Sequence, residues 1–571
     1  MLYRILFVFL LTTETLLASG MPAYQDSLER VQLFLSEEVL AAGKTLWFQA
    51  ILLGDTPRSR VLCVEVMGRR GAVVQGIYPA HEGIAQGQLT LPDTLSNGWY
   101  QVRAYTQWMR NQGASTFETQ PLLVLNPNKR IPRSSEPVDK KVSAPSAEST
   151  TSGSTPLEVF IVLSKTRYRP REPVSAAIQL PEGADTARVA VAIRKVSPIA
   201  RGAMLSGPLY NGDRLVQDDQ YRENTEEGYR YPREDEGLLL SGTARGMSEK
   251  TTDRTVVLSV PGKNPYFEYD VLGQDDRFQM PVRETLFGIQ NVVLQAIDTS
   301  AHLQWQLDEK FAPENTFSTD DMPGLPPSVI ENIHRTMVQR AQINAQYDLY
   351  LPQDSTKRPD QVDFRFYGAP NFTVRPDEYI ALPTFTEMVR ELMTGVRLKK
   401  SKGKYDLDVF DVATRNFLEG EPSVFVDGVL IHDLNYLVGL SPDEVDLIEI
   451  VNRRTYYGEY RMAGTVAIYT KAEDAYLPAL PTYAWHQPSS FYTLPIPFSP
   501  ADSLPVYQPD LRTLLLWKPS IRLTRNSHSV EAQNADELGE FEIVVAGTAP
   551  DGRPVYGRTT YEVTWDNLSP E

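Results

Sequence analysis

Short runs of alternating apolar and polar residues, punctuated by glycine, dominate the chain. Val31-Gln32-Leu33-Phe34-Leu35 is followed by the turn residues Ala42-Gly43-Lys44 and then by Thr45-Leu46-Trp47-Phe48-Gln49-Ala50. Val61 to Met67, Gly83 to Leu91 and Gly98 to Thr106 continue the series towards Pro127. A two-residue period places successive side chains on opposite faces of a strand, so short strands at regular spacing predict an antiparallel sandwich. The opening then recurs. Leu33-Phe34-Leu35-Ser36, a gap of seven residues, Lys44 and a strand match Ile161-Val162-Leu163-Ser164, the same gap, Glu172 and the strand Val174 to Leu180. In the second copy Tyr168-Arg169-Pro170-Arg171-Glu172 supplies the turn. This predicts a repeated sandwich module. Further strands are predicted over Leu238 to Asp308, clearest at Thr255 to Val260, and over Leu511 to Trp565.

The period changes in two places. Val329, Ile330, Ile333, Met337, Val338 and Ala341 fall on one helical face, with Ser328 as N-cap and Glu331 three residues on. Thr384 and Glu387 form a second capping box before Phe385, Met388, Val389, Leu392 and Met393, and Gly395 ends that helix. Around the second helix the pattern is mixed. Ser423 to Val426 and Val429 to Ile431 read as a hairpin through Asp427-Gly428, a turn with positive φ at the glycine. Ser441-Pro442-Asp443-Glu444 starts a short capped helix, and Leu447 to Val451 and Thr465 to Tyr469 are closing strands. The expected fold class is therefore mainly β with one α+β domain.

Elsewhere the pattern lapses. Arg133 to Pro156 is Ser, Thr, Pro, Lys and Glu with no large apolar residue but valine, a linker composition. Asn211 to Glu236 is acidic and reads as a solvated loop, and Pro478 to Pro505, rich in proline and aromatics, as an extended wrap. The chain has 571 residues, 42% apolar and 23% charged, enough for several cores. With 56 Lys+Arg against 73 Asp+Glu the formal charge is −17, which argues against nucleic acid as a partner.

The first residues give an address. Arg4, the apolar run Ile5 to Leu11 and the small residues Ala18-Ser19-Gly20 read as a signal peptide with a mature start near Met21. No cysteine stands at the cleavage point to carry a lipid, and no later run is apolar over ~18 residues, so no transmembrane segment is expected. The single cysteine, Cys63, lies in an apolar strand, where a buried small residue is expected; no disulfide can form within the chain.

Candidate chemistry is sparse. Gly43-Lys44-Thr45 ends like a phosphate loop, but position 38 is Glu38 and a strand follows, so a β-turn is expected. None of His81, His302, His334, His432, His486 and His528 lies three to five residues from another, which excludes local zinc spacing; His432 is expected to be solvated or hydrogen-bonded. Asp218, Asp219, Glu223, Glu226 and Glu227 lack the grammar of a calcium loop. No catalytic residue, cofactor or metal is expected.

The stretch from Pro422 to Lys471, with Asp427-Gly428, the capped turn at Ser441, Tyr457-Gly458 and Ala463-Gly464 before a strand ending Thr470-Lys471, resembles the plug domain of TonB-dependent outer-membrane receptors. Too few residues follow Lys471 for the barrel of such receptors, at ~9–11 residues per membrane strand. Ala42 to Phe48, Gly98 to Thr106 and Tyr168 to Val174 resemble macroglobulin-type sandwiches, without the Gly-Glu-Gln and cysteine of the thioester of that family, so its covalent-trap mechanism is not carried over. The whole order resembles envelope proteins of the Bacteroidota.

The expected organisation is a signal peptide (1–20), a macroglobulin-like sandwich (24–130), a linker (131–156) and a second macroglobulin-like sandwich with the acidic loop (157–235). A sandwich (236–325), a helical connector (326–360), a plug-like α+β domain (361–475), and a wrap with a C-terminal sandwich (476–571) follow. The resemblance implies export to the periplasm or outer membrane and no settled biochemical activity, and the first expectation is a protein that is not an enzyme. It would dock to an outer-membrane protein or multi-subunit envelope complex, with Arg453, Arg454 and Tyr456 as partner-binding residues on exposed loops. The alternative is a glycan- or peptide-binding protein using aromatics such as Trp99, Trp108, Trp485, Phe491 and Tyr492; a hydrolase with a triad assembled across domains is the third reading.

Overall fold

The computed structural model describes residues 29–54, 59–131, 157–196, 230–247, 251, 253–299, 303–313, 325–347, 364–499 and 507–565. The leader, nearly all of the linker and most of the acidic stretch expected at 211–236 lie outside these residues. Within them the fold is mainly β with one α+β unit, in four units that we label A, B, C and the α+β unit.

Unit A is the predicted first sandwich. Its strands run in the order Arg30–Leu35, Thr45–Leu53, Ile84–Thr90, Gly71–His81, Val61–Gly68, Gly98–Tyr105, Glu118–Leu125 and Val39–Ala41. All neighbours are antiparallel except the last pair. Gly43-Lys44 is a turn, with Gly43 at φ +83° and Lys44 N donating to Ala41 O. Cys63 is buried, as expected, and burial pushes its thiol pKa up.

The predicted repeat is present at the level of pairing. In unit A Arg30–Leu35 pairs antiparallel with Thr45–Leu53, and the short strand between them pairs parallel with the last strand of the unit. In unit C Phe160–Leu163 pairs antiparallel with Pro173–Gln179, and Arg167–Tyr168 between them pairs parallel with the last strand, Pro554–Val563. Ser36 N donates to Trp47 O in one copy and Ser164 N to Ser175 O in the other. Both turns contain a positive φ, at Gly43 and at Arg171.

Unit C corrects the expected organisation. Its strands from residues 157–195 are completed by Leu514–Thr524, His528–Gln533, Gly539–Thr548 and Pro554–Val563. Thr186–Lys195 lies between Leu514–Thr524 and Gly539–Thr548, antiparallel to both. Residues 157–195 and the C-terminal strands are thus one sandwich with one core, not two domains. Unit B is divided in the same way. One sheet holds Arg277–Val282, Leu238–Arg245 and Gln304–Leu307; the other holds Tyr266–Val271, Thr255–Val260, Ile289–Ala296 and, after a long excursion, Trp485–Ser490. The segment after Ser490 does wrap over unit A: Thr493 N donates to Ile77 O, Gln88 Nε2 donates to Leu494 O and Ile496 N donates to Gln88 Oε1. Units A and B share one continuous apolar cluster.

Helix α1 spans Pro327–Gln346 and starts with proline at its first position and no side-chain cap, so the expected Ser328 cap is not used. Ile330, Ile333 and Met337 pack on Leu123 and Leu125 of unit A, and Arg340 pairs with Glu537 of unit C. Helix α2, Phe385–Leu392, has the predicted cap: Thr384 Oγ1 accepts from Glu387 N at 3.3 Å. Helix α3, Asn435–Gly439, has no counterpart in the sequence reading; the helix expected at Ser441 is a single turn over Pro442–Glu444, closed by its capping box.

Candidate docking face

The α+β unit is built on a five-stranded mixed sheet in the order Phe372–Val374, Val445–Tyr457, Tyr460–Thr470, Ser423–Val426 and Val429–Ile431. Asp427 and Gly428 both have positive φ, as a two-residue hairpin turn requires. Asp427 is buried, and its carboxylate accepts from Thr470 N and Thr470 Oγ1, both at 2.7 Å, and from Ala475 N at 3.2 Å. Its role is to tie the turn to the last strand. One side of the sheet packs on α2 through Phe385, Met388 and Val389, with Ile448, Ile450, Val466 and Ile468 in the same cluster.

The other side docks on unit B. Phe267 stacks on Phe366 at 4.7 Å and meets Phe425 edge-on at 5.4 Å. Tyr457 Oη donates to Glu268 Oε2 at 2.9 Å, and Glu459 N donates to Tyr269 Oη. Burial, with Glu268 beside it, pushes the Tyr457 hydroxyl up to about 12. Beneath this contact Arg365 Nε donates to Glu449 Oε2 at 2.8 Å, Tyr367 Oη donates to the same carboxylate, and the Tyr367 and Tyr469 hydroxyls are 2.6 Å apart. This network is enclosed, so it fixes the sheet rather than meeting a ligand.

Arg453, Arg454 and Tyr456 lie on the long hairpin Val445–Tyr457/Tyr460–Thr470, in strand rather than on a loop. An irregularity between Val451 and Arg454 adds one residue to the first strand, a β-bulge, and the two-residue period of the strand puts Arg453 on one side and Arg454 and Tyr456 on the other. Arg453 turns towards the chain before the first strand of the sheet, donating to Asn371 Oδ1 at 2.8 Å and Ala369 O at 3.0 Å. Arg454 lies on the opposite side, where Nη2 donates to Glu419 O at 3.1 Å. Directly opposite residues of an antiparallel pair share a face. Tyr456 faces Arg461, and Arg454 faces Ala463. The structure therefore groups Arg454 and Tyr456 with Arg461, which the sequence reading missed, and leaves Arg453 out. Tyr456 is 65% exposed, a large value for an aromatic on a strand.

The same side continues into a small sheet, Val396–Ser401, Lys404–Asp411 and Asn416–Phe417. Its hairpin carries Arg397, Lys399, Lys400, Lys402 and Lys404 with no acidic residue between them, in a chain of charge −17. Arg397 and Lys399 share the one carboxylate of Asp408, which is held below its ordinary range by these two cations against the opposing effect of burial. Lys400 lies over the Tyr405 ring, and Lys402 and Lys404 make no ion pair among the described residues. Five cations within eight residues are legible in the sequence as a local reversal of the net charge.

The aromatics considered for stacking on sugar are otherwise engaged. Phe491 and Tyr492 are buried, Trp485 is half-buried in unit B, Trp99 packs beside α1, and Trp108 lies under Arg233. His432 sits edge-on to Tyr483; its Nε2 has no hydrogen-bond partner among the described residues, and burial lowers its pKa. Among the described residues no group of three His, Cys, Asp or Glu side chains has metal-binding geometry, and no helix is long and apolar enough to cross a membrane.

No protein-family model matches the chain, and no curated protein matches it in sequence. Among solved structures, Salmonella alpha-2-macroglobulin reacted with methylamine aligns with 94% of this chain and 23% of its own, at 10% identity and a TM-score of 0.15. Trypsin-activated alpha-2-macroglobulin from Escherichia coli aligns with 94% of this chain and 41% of its own, at 10% identity and a TM-score of 0.22. The Yersinia pseudotuberculosis adhesin InvE aligns with 48% of this chain and 57% of its own, at 9% identity and a TM-score of 0.13. The chain spans about a quarter of the first of these proteins. Scores at this level carry no conclusion about this chain.

Proposed function

We propose that this chain is an exported, non-catalytic envelope protein that docks an outer-membrane protein or multi-subunit envelope complex through its plug-like α+β unit. The observation that carries the reading is the division of labour on the long hairpin. Tyr457, Tyr460 and Met462 belong to the cluster with unit B, whereas Arg454, Tyr456 and Arg461 are exposed. Arginine and tyrosine are the residue types that anchor interfaces, and a nearby lysine-rich hairpin suits an acidic partner surface. The leader composition supports export, and the macroglobulin-like repeat supports the reading of units A and C as rigid spacers. The plug resemblance and the assignment to envelope proteins of the Bacteroidota rest on sequence pattern.

A photo-crosslinking side chain in place of Tyr456, introduced in intact cells, tests the proposal. One discrete adduct is expected, reduced at least tenfold by Arg454→Ala with Arg461→Ala while unfolding of the purified protein is unchanged. Adducts that survive both substitutions, or no adduct, would remove this face as the docking site.

A further inference from the structure

We infer that the cleft between units A and C is a binding site for a small amphiphilic anion, an acid group carried on an apolar body. The cleft is about 760 Å³, within the range of small-molecule sites, and lies between two units where such sites concentrate. It opens at the end of a closed apolar contact in which Phe34, Trp47 and Ile51 of unit A meet Ala190, Leu514 and Trp517 of unit C. The apolar wall of the cleft is the continuation of that contact: Ile51, Leu53 and Ile84.

The polar lining is cationic in an acidic protein. Arg30, on unit A, stands directly opposite Leu53. Arg188 and Arg522, on unit C, stand directly opposite each other on neighbouring antiparallel strands, so their side chains leave the sheet on the same face. A like-charged pair in that position is destabilising unless something neutralises it. Glu82, from unit A, answers Arg188 at 2.6 Å. The remaining carboxylate of the lining, Asp551, is taken by Arg553. Arg30 and Arg522 have no ion-pair partner among the described residues and are exposed to the cleft solvent.

The lining residue Thr548 is held by a buried amide outside the lining. Gln32 is two residues along the same strand face from Arg30 and is 7% exposed; its Oε1 accepts from Thr548 Oγ1, and its Nε2 has no partner among the described residues. Two free guanidinium groups and an aliphatic wall define the ligand class. The acid group is a carboxylate or a phosphate, both of which match the planar donor fork of arginine. The cleft does not involve the docking face, so the two proposals stand or fall separately.

Titration calorimetry on the full mature chain tests this with four probes: octyl phosphate, octanoate, octylammonium and inorganic phosphate. Binding is expected for octyl phosphate or octanoate, with the stronger of the two naming the acid group. No binding is expected for octylammonium, and affinity at least tenfold weaker for inorganic phosphate. Arg30→Ala with Arg522→Ala should weaken the amphiphile at least tenfold. Both residues are exposed and unpaired, so the melting temperature should be unchanged; should the double variant not fold, Ile84→Asp, which charges the apolar wall, replaces it with the same expected loss. Comparable binding of octylammonium, equal affinity for inorganic phosphate, full affinity in the variants, or no binding of either anion up to millimolar concentration would each overturn the inference.

Discussion

Glu234 offers a test of how units A and B are joined. The segment around it crosses between them: its carbonyl accepts from Arg60 N at 2.7 Å on unit A, and its Oε1 accepts from Leu239 N at 3.0 Å on unit B. Its side chain is enclosed, and Oε2 has no partner among the described residues. Burial pushes its carboxyl from an ordinary 4.5 to about 8, against the pull of the Leu239 amide, Lys310 and Arg110. Between those two values the native state holds a proton that the unfolded chain has released. The stability tied to this proton is complete below about 4.5 and is lost as pH rises to about 8. At ~1.4 kcal/mol per pH unit the loss is at most about 5 kcal/mol. Lys310, lowered to about 8 by burial, has the opposite sign. Above that pH the unfolded chain keeps a proton the native state has given up, so stability recovers towards 10.5. Glu118, also raised to about 8 by burial, acts with the same sign as Glu234, and the buried Cys63 and Tyr105 oppose Lys310 at high pH, so the test is the difference between variant and parent in urea unfolding from pH 5 to 10. Glu234→Gln should remove its own share of the fall between about 4.5 and 8, and Lys310→Met its own share of the recovery above about 8. The glutamine carries a pH-independent cost of ~1–3 kcal/mol for a buried unpaired amide, so the diagnostic quantity is the change of the difference with pH. A Glu234→Gln difference that stays constant from pH 5 to 9 would refute the protonated-carboxyl account.

Two further outcomes follow from the packing. Gly428→Ala should cost ~2–4 kcal/mol, because φ is +86° and the new Cβ would overlap Pro265 of unit B; Gly403→Ala, at φ +85° with nothing within 4 Å, should cost only the backbone part of ~1 kcal/mol, and equal costs in thermal unfolding would show that unit B does not press on that turn. Cys63 should resist a thiol reagent in the native protein at pH 8 and react fully in urea, since it is buried and its thiol is harder to ionise; fast native labelling would contradict the packing of unit A.

Local chemistry was legible along the chain and pairing was not. Thr384, Ser441 and Asp427-Gly428 act where their side chains and torsions said they would, because caps and tight turns are decided within a few residues. The match of Ile161 to Leu33 survived for the same reason. The partner of Thr186–Lys195 could not be read, because alternation marks a strand as half-buried without naming its neighbour, and that neighbour lies beyond Asp510. The docking residues turn on which element they occupy: in a strand, ordinary alternation sends Arg453 to one side and Arg454 to the other, whereas a loop carries no such period.

The nested connectivity sets an order of events when the chain is delivered from its N-terminus. Unit A is complete once Leu125 has emerged, and the α+β unit closes on its own segment by Thr470. Unit B must wait for Trp485–Ser490, and unit C for Pro554–Val563. Until then Thr186–Lys195 lacks both of its neighbours and Pro173–Gln179 one of its two, presenting open backbone edges to any passing extended chain. A nascent or C-terminally shortened chain is thus an aggregation hazard out of proportion to the residues it lacks. The last sixty residues act as the lock on a sandwich begun near residue 157.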